Sequence, residues 1–70
     1  MYYDEAISLV EEGHRVTRDS WDNAYIYKDK ESGIIKYFRK QYMAGVDVIS
    51  DHRYISSESD MKADDWRTIE

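Results

Sequence analysis

"YDEAISLVEEGHRVTRDSW", residues 3–21, contains a helix signal followed at once by a strand signal. Apolar residues recur at the spacing of one buried helical face, at Tyr3, Ala6, Ile7 and Val10. Gly13 lies where a left-handed residue ends a helix, and the RVTR that follows alternates polar and β-branched residues as a strand does. A helix of about ten residues is marginal alone, so we expect it to dock on a sheet.

The middle of the chain predicts more strands. AYIYK (residues 24–28) and GIIKYFRK (33–40) are rich in β-branched and aromatic residues, and the polar DKESG (29–33) predicts a hairpin between them. QYMAG (41–45) is expected to be a loop or a single helical turn ended by Gly45. VDVIS (46–50) is expected to be a third strand, and DHR (51–53) a turn into YIS (54–56).

The C-terminal part predicts a capped helical turn and a closing strand. Asp60 follows Ser57 by three residues, the spacing of a capping box. WRTIE, residues 66–70, is expected to be an edge strand with Trp66 in the core. Because the sequence has no repeat, linker or proline, we expect residues 1–70 to be a single small α+β domain.

The length and the absence of cysteine point to association of copies. A chain of 70 residues buries only about 60% of its unfolded surface, so its core is thin. Without cysteine there are no disulfides or thiolate ligands, and oligomerisation is the support that remains. The sequence has neither an apolar run of about 18 residues nor a basic leader, which predicts a soluble, intracellular protein without membrane contact.

The formal net charge of −5 opposes general attraction to phosphates, so no direct nucleic-acid binding is expected. An anionic ligand would need a local cluster of cations, drawn from Arg15, Arg18, Lys36, Arg39 and Arg53. Aromatic residues make up 14% of the chain, and their polar edges suit interfaces and stacking sites.

Catalytic and metal-binding motifs are missing from the sequence. There is no nucleophile elbow or phosphate-binding glycine loop, and His14 and His52 have no partner at metal-ligand spacing. The acids Asp60, Asp64 and Asp65 are more typical of a solvated face than of a cation site. We therefore expect no catalytic residue, no metal and no cofactor.

Arg18 and Trp21 allow two interpretations. Either Trp21 fills the core and Arg18 pairs with an acid, or the indole stacks on a base while the guanidinium binds a phosphate. Tyr25, Tyr27 and Tyr54 could add rings to such a pocket, although tyrosines on strands are more often half-buried packing.

Two separated motifs favour the second interpretation. The first runs Tyr3-x-x-Ala6-Ile7-x-x-Val10-x-x-Gly13-x-x-Val16-x-Arg18-x-x-Trp21, and the second runs Ser57-x-x-Asp60-Met61-x-Ala63-x-Asp65-Trp66. They are similar to the opening and closing patterns of the Thoeris anti-defence 2 family of small phage proteins. The two motifs together cover a little under half of the chain.

The resemblance implies an α+β subunit, with one N-terminal helix packed on a small antiparallel sheet, that forms a homodimer or homotetramer in the host cytoplasm. It also implies a non-enzymatic sponge that sequesters a cyclic nucleotide immune signal, glycocyclic ADP-ribose or a cyclic oligonucleotide, without cleaving it. In such a sponge Trp21 would stack on a base and Arg18 would hold phosphates. Ser57 and Asp60 would contact the ribose or a base edge, and Tyr25 and Tyr54 would add rings.

Two other functions stay open. An acidic inhibitor could bind a host defence protein such as a CRISPR nuclease, a role in which negative charge helps. An oligomeric scaffold could use all the aromatic residues as core, and deep burial of Trp21 with no cavity beside it would favour that reading.

Overall fold

The computed structural model describes residues 1–69 as a five-stranded sheet with two helices. The elements are α1 (Tyr3–Glu11), β1 (Arg15–Arg18), β2 (Ala24–Lys28), β3 (Ile35–Met43), β4 (Val46–Arg53), α2 (Glu58–Lys62) and β5 (Trp66–Ile69). Every strand pair is antiparallel, and the strand order is β4-β3-β2-β1-β5. The predicted α+β class is confirmed. Neither helix has the length and apolar character that crossing a membrane requires, within residues 1–69.

The end of α1 is fixed by the predicted glycine. Gly13 has a φ of +103°, in the left-handed region. Its N–H donates to the carbonyl of Val10, and the N–H of His14 donates to the carbonyl of Leu9. This pair of bonds is a Schellman motif, which satisfies carbonyls at the helix end and directs the chain into β1.

The core lies on one face of the sheet. Ala6 and Val10 of α1 belong to one buried cluster with Val16, Ile26 and Trp66, which come from β1, β2 and β5. Trp66 is 2% exposed, so its predicted place in the core is confirmed. We call the sheet face that carries these three strand residues the helix face.

The other face of the sheet carries the alternate side chains, since successive residues of a strand point to opposite sides. Arg15, Tyr25 and Phe38 are examples, with Tyr25 directly opposite Phe38 in the β2–β3 register. We call this surface the open face, because the buried residues of α1 and α2 meet the helix face instead.

Two predictions about the β3–β4 hairpin are wrong. Residues 41–43 continue β3, so QYMAG is neither a loop nor a helical turn, and residues 51–53 continue β4 where DHR predicted a turn. The hairpin turns at Ala44 and Gly45, whose φ values of +51° and +81° are those of a primed two-residue turn. Alanine rarely adopts a positive φ, so the sequence carried no turn signal there. The polar DHR is accommodated because β4 is an edge strand exposed along most of its length.

The remaining strand predictions agree with the structure. The β2–β3 hairpin is present, with the N–H of Gly33 donating to the carbonyl of Asp29. β5 lies at the sheet edge as predicted, over Trp66–Ile69, while Glu70 lies outside the described residues.

The outer part of the β3–β4 hairpin extends beyond the rest of the sheet. β2 pairs with β3 only over residues 35–39, and the N–H of Lys40 still donates to the carbonyl of Asn23. Residues 41–43 of β3 pair with β4 alone. We call residues 40–49 the distal arm. Several of its large apolar side chains are exposed, namely Tyr42, Met43, Val46, Val48 and Ile49.

Replacement of Ile26 tests how far stability depends on the small core. Ile26 is fully buried, so Ile26→Ala should lower the free energy of unfolding by about 2–5 kcal/mol. The matched control is Ile55→Ala, because Ile55 is 82% exposed and its truncation should cost less than about 0.5 kcal/mol. Urea unfolding followed by circular dichroism measures both, and equal losses would contradict the assignment of the core.

Candidate functional site

The start of α2 forms the predicted capping box. The side-chain hydroxyl of Ser57 accepts from the N–H of Asp60 at 3.1 Å, and Oδ2 of Asp60 accepts from the N–H of Ser57 at 3.5 Å. These two bonds satisfy N–H groups that the first turn of a helix leaves without partners. They also fix where the Asp60 carboxylate lies.

Asp60 is buried and connects several elements. Its Oδ1 accepts from Nη1 of Arg18 at 3.0 Å, and its Oδ2 accepts from the hydroxyl of Tyr54 at 2.8 Å. The indole Nε1 of Trp66 donates to the backbone carbonyl of the same residue at 3.1 Å. Asp60 thereby ties β1, the segment after β4, and β5 to the first turn of α2.

Arg18 lies between two carboxylates. Its Nε donates to Oδ1 of Asp65 at 3.0 Å, while Nη1 reaches Asp60. The bond to Asp65 is the main cause that raises the pKa of Arg18 above its ordinary value, and Asp60 adds to the effect. The pairing of Arg18 with acids, one of the two sequence interpretations, is what the structure has.

The same contacts explain the acidic run near the C-terminus. Asp60 and Asp65 share the guanidinium of Arg18, so their charges are compensated across the fold. Asp64, between them in sequence, is exposed, and its backbone carbonyl accepts from the amino group of Met1. The run is therefore divided between two inward-facing carboxylates and one that faces solvent.

Tyr54 is held in a half-buried position beside this carboxylate. Burial is the main cause that raises its pKa well above the ordinary value for tyrosine, and the hydrogen bond to Asp60 raises it further. A neutral hydroxyl in this position donates to a carboxylate, so the pair is stable only while Tyr54 keeps its proton.

A cavity of about 240 Å³ opens beside Tyr54, and we call it the ring cavity. Trp21 is half-buried and meets Tyr37 edge-on, with ring centroids 5.3 Å apart at an interplanar angle of 81°. Trp21 also meets Trp66 edge-on at 5.2 Å, and Tyr37 lies 5.4 Å from the ring of His52. The cavity is lined by Trp21, Tyr37, His52, Arg53, Tyr54, Ile55 and Asp60.

The structure brings most of the predicted site residues together. Trp21, Tyr54 and Asp60 line the ring cavity, and Arg18 and Ser57 contact Asp60 directly. The finding that would favour a pure scaffold, a deeply buried Trp21 without a cavity, is not met.

Tyr25 is the predicted site residue that lies elsewhere. It is on the open face, where its ring stacks on Phe38 at 4.9 Å. It lines a second cavity of about 370 Å³, to which Trp21 also contributes.

Sequence reasoning missed part of the cavity wall. Tyr37 and His52 face each other in the β3–β4 register, so they enter the site as a cross-strand pair. Alternation along β3 places Tyr37 on the face of Ile35, but the turn predicted at DHR concealed the strand that carries His52. Arg53, the last residue of β4, was among the cations that the sequence offered for an anionic ligand, whereas Ile55 gave no signal of its own.

Comparison with known proteins gives one match along nearly the whole chain. The family model of the Thoeris anti-defense 2-like domain matches residues 1–69. No curated protein matches the chain.

Removal of the Asp60 carboxylate tests its role in the fold. Asp60→Ala should lower the free energy of unfolding by about 2 kcal/mol, because a buried carboxylate that accepts from Arg18 and Tyr54 is lost. Asp64→Ala removes an exposed carboxylate four residues later and should change it by less than about 0.5 kcal/mol. Denaturant titration of the two variants against the parent measures the difference, and similar values for both would refute the assigned network.

High pH should weaken the fold through Tyr54. Its pKa is raised in the folded protein, so the stability it contributes is complete below the ordinary pKa of 10.0 and is lost as the pH rises beyond it. The drop in unfolding midpoint across this range should be smaller in Tyr54→Phe than in the parent. Tyr2→Phe, at an exposed tyrosine, should keep the parent's profile. Identical profiles for all three proteins would exclude the effect.

Proposed function

The chain belongs to the Thoeris anti-defense 2-like family, which supports a role against Thoeris defence, and from that premise we propose that it sequesters a cyclic nucleotide signal without cleaving it. The observation that carries the proposal is the ring cavity, where two aromatic rings stand next to a fixed carboxylate and a tyrosine hydroxyl. Glycocyclic ADP-ribose or a cyclic oligonucleotide offers the bases and hydroxyls that such a cavity can bind.

The aromatic wall supports binding of a base. Trp21 and Tyr37 meet edge-on, so their planes are nearly perpendicular and a flat base can stack on one while its edge meets the other. Such stacking contributes about 1–3 kcal/mol per base. Asp60 and Tyr54 then supply an acceptor and a hydroxyl for the ribose or base edge.

Arg18 acts in this proposal mainly through Asp60. Two of its guanidinium nitrogens already bind carboxylates, which leaves one nitrogen for a ligand. The two carboxylates also outweigh its charge, so a phosphate directly beside Arg18 would meet local repulsion. Arg53, which is exposed at the cavity rim, is better placed to meet a phosphate, with Arg18 positioning the carboxylate.

The size of the ring cavity supports a shared site. Pockets for small molecules usually hold about 300–1,000 Å³, and the cavity of one subunit holds about 240 Å³. One base with its ribose is the most that it can enclose, so the rest of a cyclic dinucleotide would need a second copy to cover it.

The distal arm supports homo-oligomerisation. Tyr42 and Val46 are 75% and 61% exposed, and a two-stranded ribbon is at best marginally stable in water. Exposed apolar residues clustered in this way mark contact surfaces. We assign the arm as a contact between copies in a homodimer or homotetramer.

Calorimetric titration with a panel that includes glycocyclic ADP-ribose, cyclic dinucleotides and cyclic trinucleotides tests the proposal. At least one ligand should bind, and Tyr37→Leu should weaken it about five-fold or more because a stacking plane is lost. Tyr2→Leu, which removes an exposed ring outside the cavity, should leave the affinity unchanged.

If protein shown to be folded gives no heat of binding with any of these ligands, the proposal that it sequesters a cyclic nucleotide is refuted. Native mass spectrometry of the complex should give two or four subunits, and the ligand released by denaturation should have its original mass. A cleaved ligand would show that the protein catalyses a reaction of the ligand and does not simply sequester it.

A further inference from the structure

The open face differs in charge from the rest of the molecule. The strand register places five cations on it, namely Arg15, Lys36, Lys40, Arg53 and Arg67. The strand acids on the same face are Asp47 and Asp51. Two further acids border this face, because Asp19 pairs with Arg67 and the charge of Asp29 interacts with that of Lys36. With them the net charge of the face is +1, and because the whole chain carries −5, all other residues together carry −6.

Two of these cations, Arg15 and Lys36, are available to a ligand of the open face alone. Lys40 is paired with Asp47 at 3.8 Å, and Arg67 with Asp19 at 3.0 Å. Arg15 and Lys36 make no ion pair within residues 1–69. Arg53 makes none in that range either, but it also lines the ring cavity. Of the two strand acids, Asp51 accepts a hydrogen bond from the hydroxyl of Tyr27 at 2.7 Å.

The same face carries a continuous group of rings. Tyr25 stacks on Phe38 with centroids 4.9 Å apart and lies 5.8 Å from Tyr27. The guanidinium of Arg15 lies 5.3 Å from the centroid of the Tyr25 ring. The second cavity, of about 370 Å³, adjoins Tyr25 and Phe38, so the ring group borders a concave surface.

We propose that the open face binds single-stranded nucleic acid, with bases stacked on the rings around Tyr25 and phosphates bound by Arg15 and Lys36. An antiparallel sheet face with half-buried rings beside cations provides what single strands need, a stacking platform next to positive charge. The negative charge elsewhere on the molecule then restricts contact to this one face. RNA and DNA single strands share this chemistry.

A symmetric contact between two copies fits the open face less well. A two-fold interface brings the same patch of each subunit together, so Arg15 and Lys36 of one copy would face the equivalent cations of the other. Equivalent cations that face each other repel, whereas the phosphates of a polyanion are complementary to them. The exposed distal arm gives copies a contact that avoids this cost.

Fluorescence anisotropy with labelled twelve-nucleotide strands of deoxythymidine and uridine tests the proposal on the full chain. At low salt, dissociation constants of about 10⁻⁴–10⁻⁶ M are expected for one or both strands. With Arg15 and Lys36 as the available cations, the slope of log affinity against log salt should be about −1.4. A blunt DNA duplex of the same length should bind more weakly, because its bases are already stacked.

Matched variants distinguish the effect of a charge on the open face from the effect of the same charge elsewhere in the fold. Lys36→Ala should flatten the salt slope by about 0.7. Lys62→Ala removes the same charge from α2, where Lys62 is exposed and paired with Glu58, and should leave the slope unchanged. Tyr25→Leu should weaken binding about five-fold or more, while Tyr25→Phe keeps the ring and should retain the parent's affinity.

Three results would overturn the inference: no binding of either strand by folded protein, equal loss in Lys36→Ala and Lys62→Ala, or equal affinity for the duplex. A cyclic nucleotide that binds the ring cavity should not displace the strand, and full displacement would assign both ligands to one site. Because the two sites have separate variants, Tyr37→Leu and Tyr25→Leu, failure of this inference is distinguishable from failure of the proposed sponge.

Discussion

The buried carboxylate of Asp60 is the contact on which the arrangement of the C-terminal half depends. A carboxylate away from water is costly unless its oxygens are hydrogen-bonded, and here they accept from Arg18, Tyr54 and the backbone of Ser57. These donors come from β1, from the chain that follows β4, and from the cap of α2. Satisfying one acid therefore fixes three segments relative to one another.

The two tryptophans lie in different environments within this arrangement. Trp66 is nearly fully buried, with its indole N–H bonded to the Asp60 carbonyl, so all its binding capacity is used inside the fold. Trp21 packs its edge on Trp66 but remains half-buried, with cavities on two sides. Packing against Trp66 restricts the motion of the Trp21 ring while the cavities leave part of it accessible. A side chain that is already restricted loses less entropy when a ligand binds.

Local signals were readable from the sequence, and long-range contacts were not. The Gly13 helix end and the Ser57–Asp60 capping box depend on residues within five positions of each other, and both were predicted. The Arg18–Asp60 contact joins residues 42 positions apart, so no spacing rule could select that partner among fifteen acids. The same applies to the ring cavity, whose Tyr37 and His52 meet only once the register of β3 and β4 is known.

Net charge was the least informative of the sequence properties, for a reason that lies in strand geometry. Alternation along a strand sorts neighbouring residues onto opposite faces, so a sheet can separate charges that are mixed in the sequence. In β3, Lys36 and Lys40 face one side, while Tyr37 on the other side lines the ring cavity. The net charge of −5 is the sum of a positive sheet face and an acidic remainder. A bound ligand is affected mainly by the charge of the face that it contacts. For a small sheet protein, the charge of each face therefore has to be counted after the register is known.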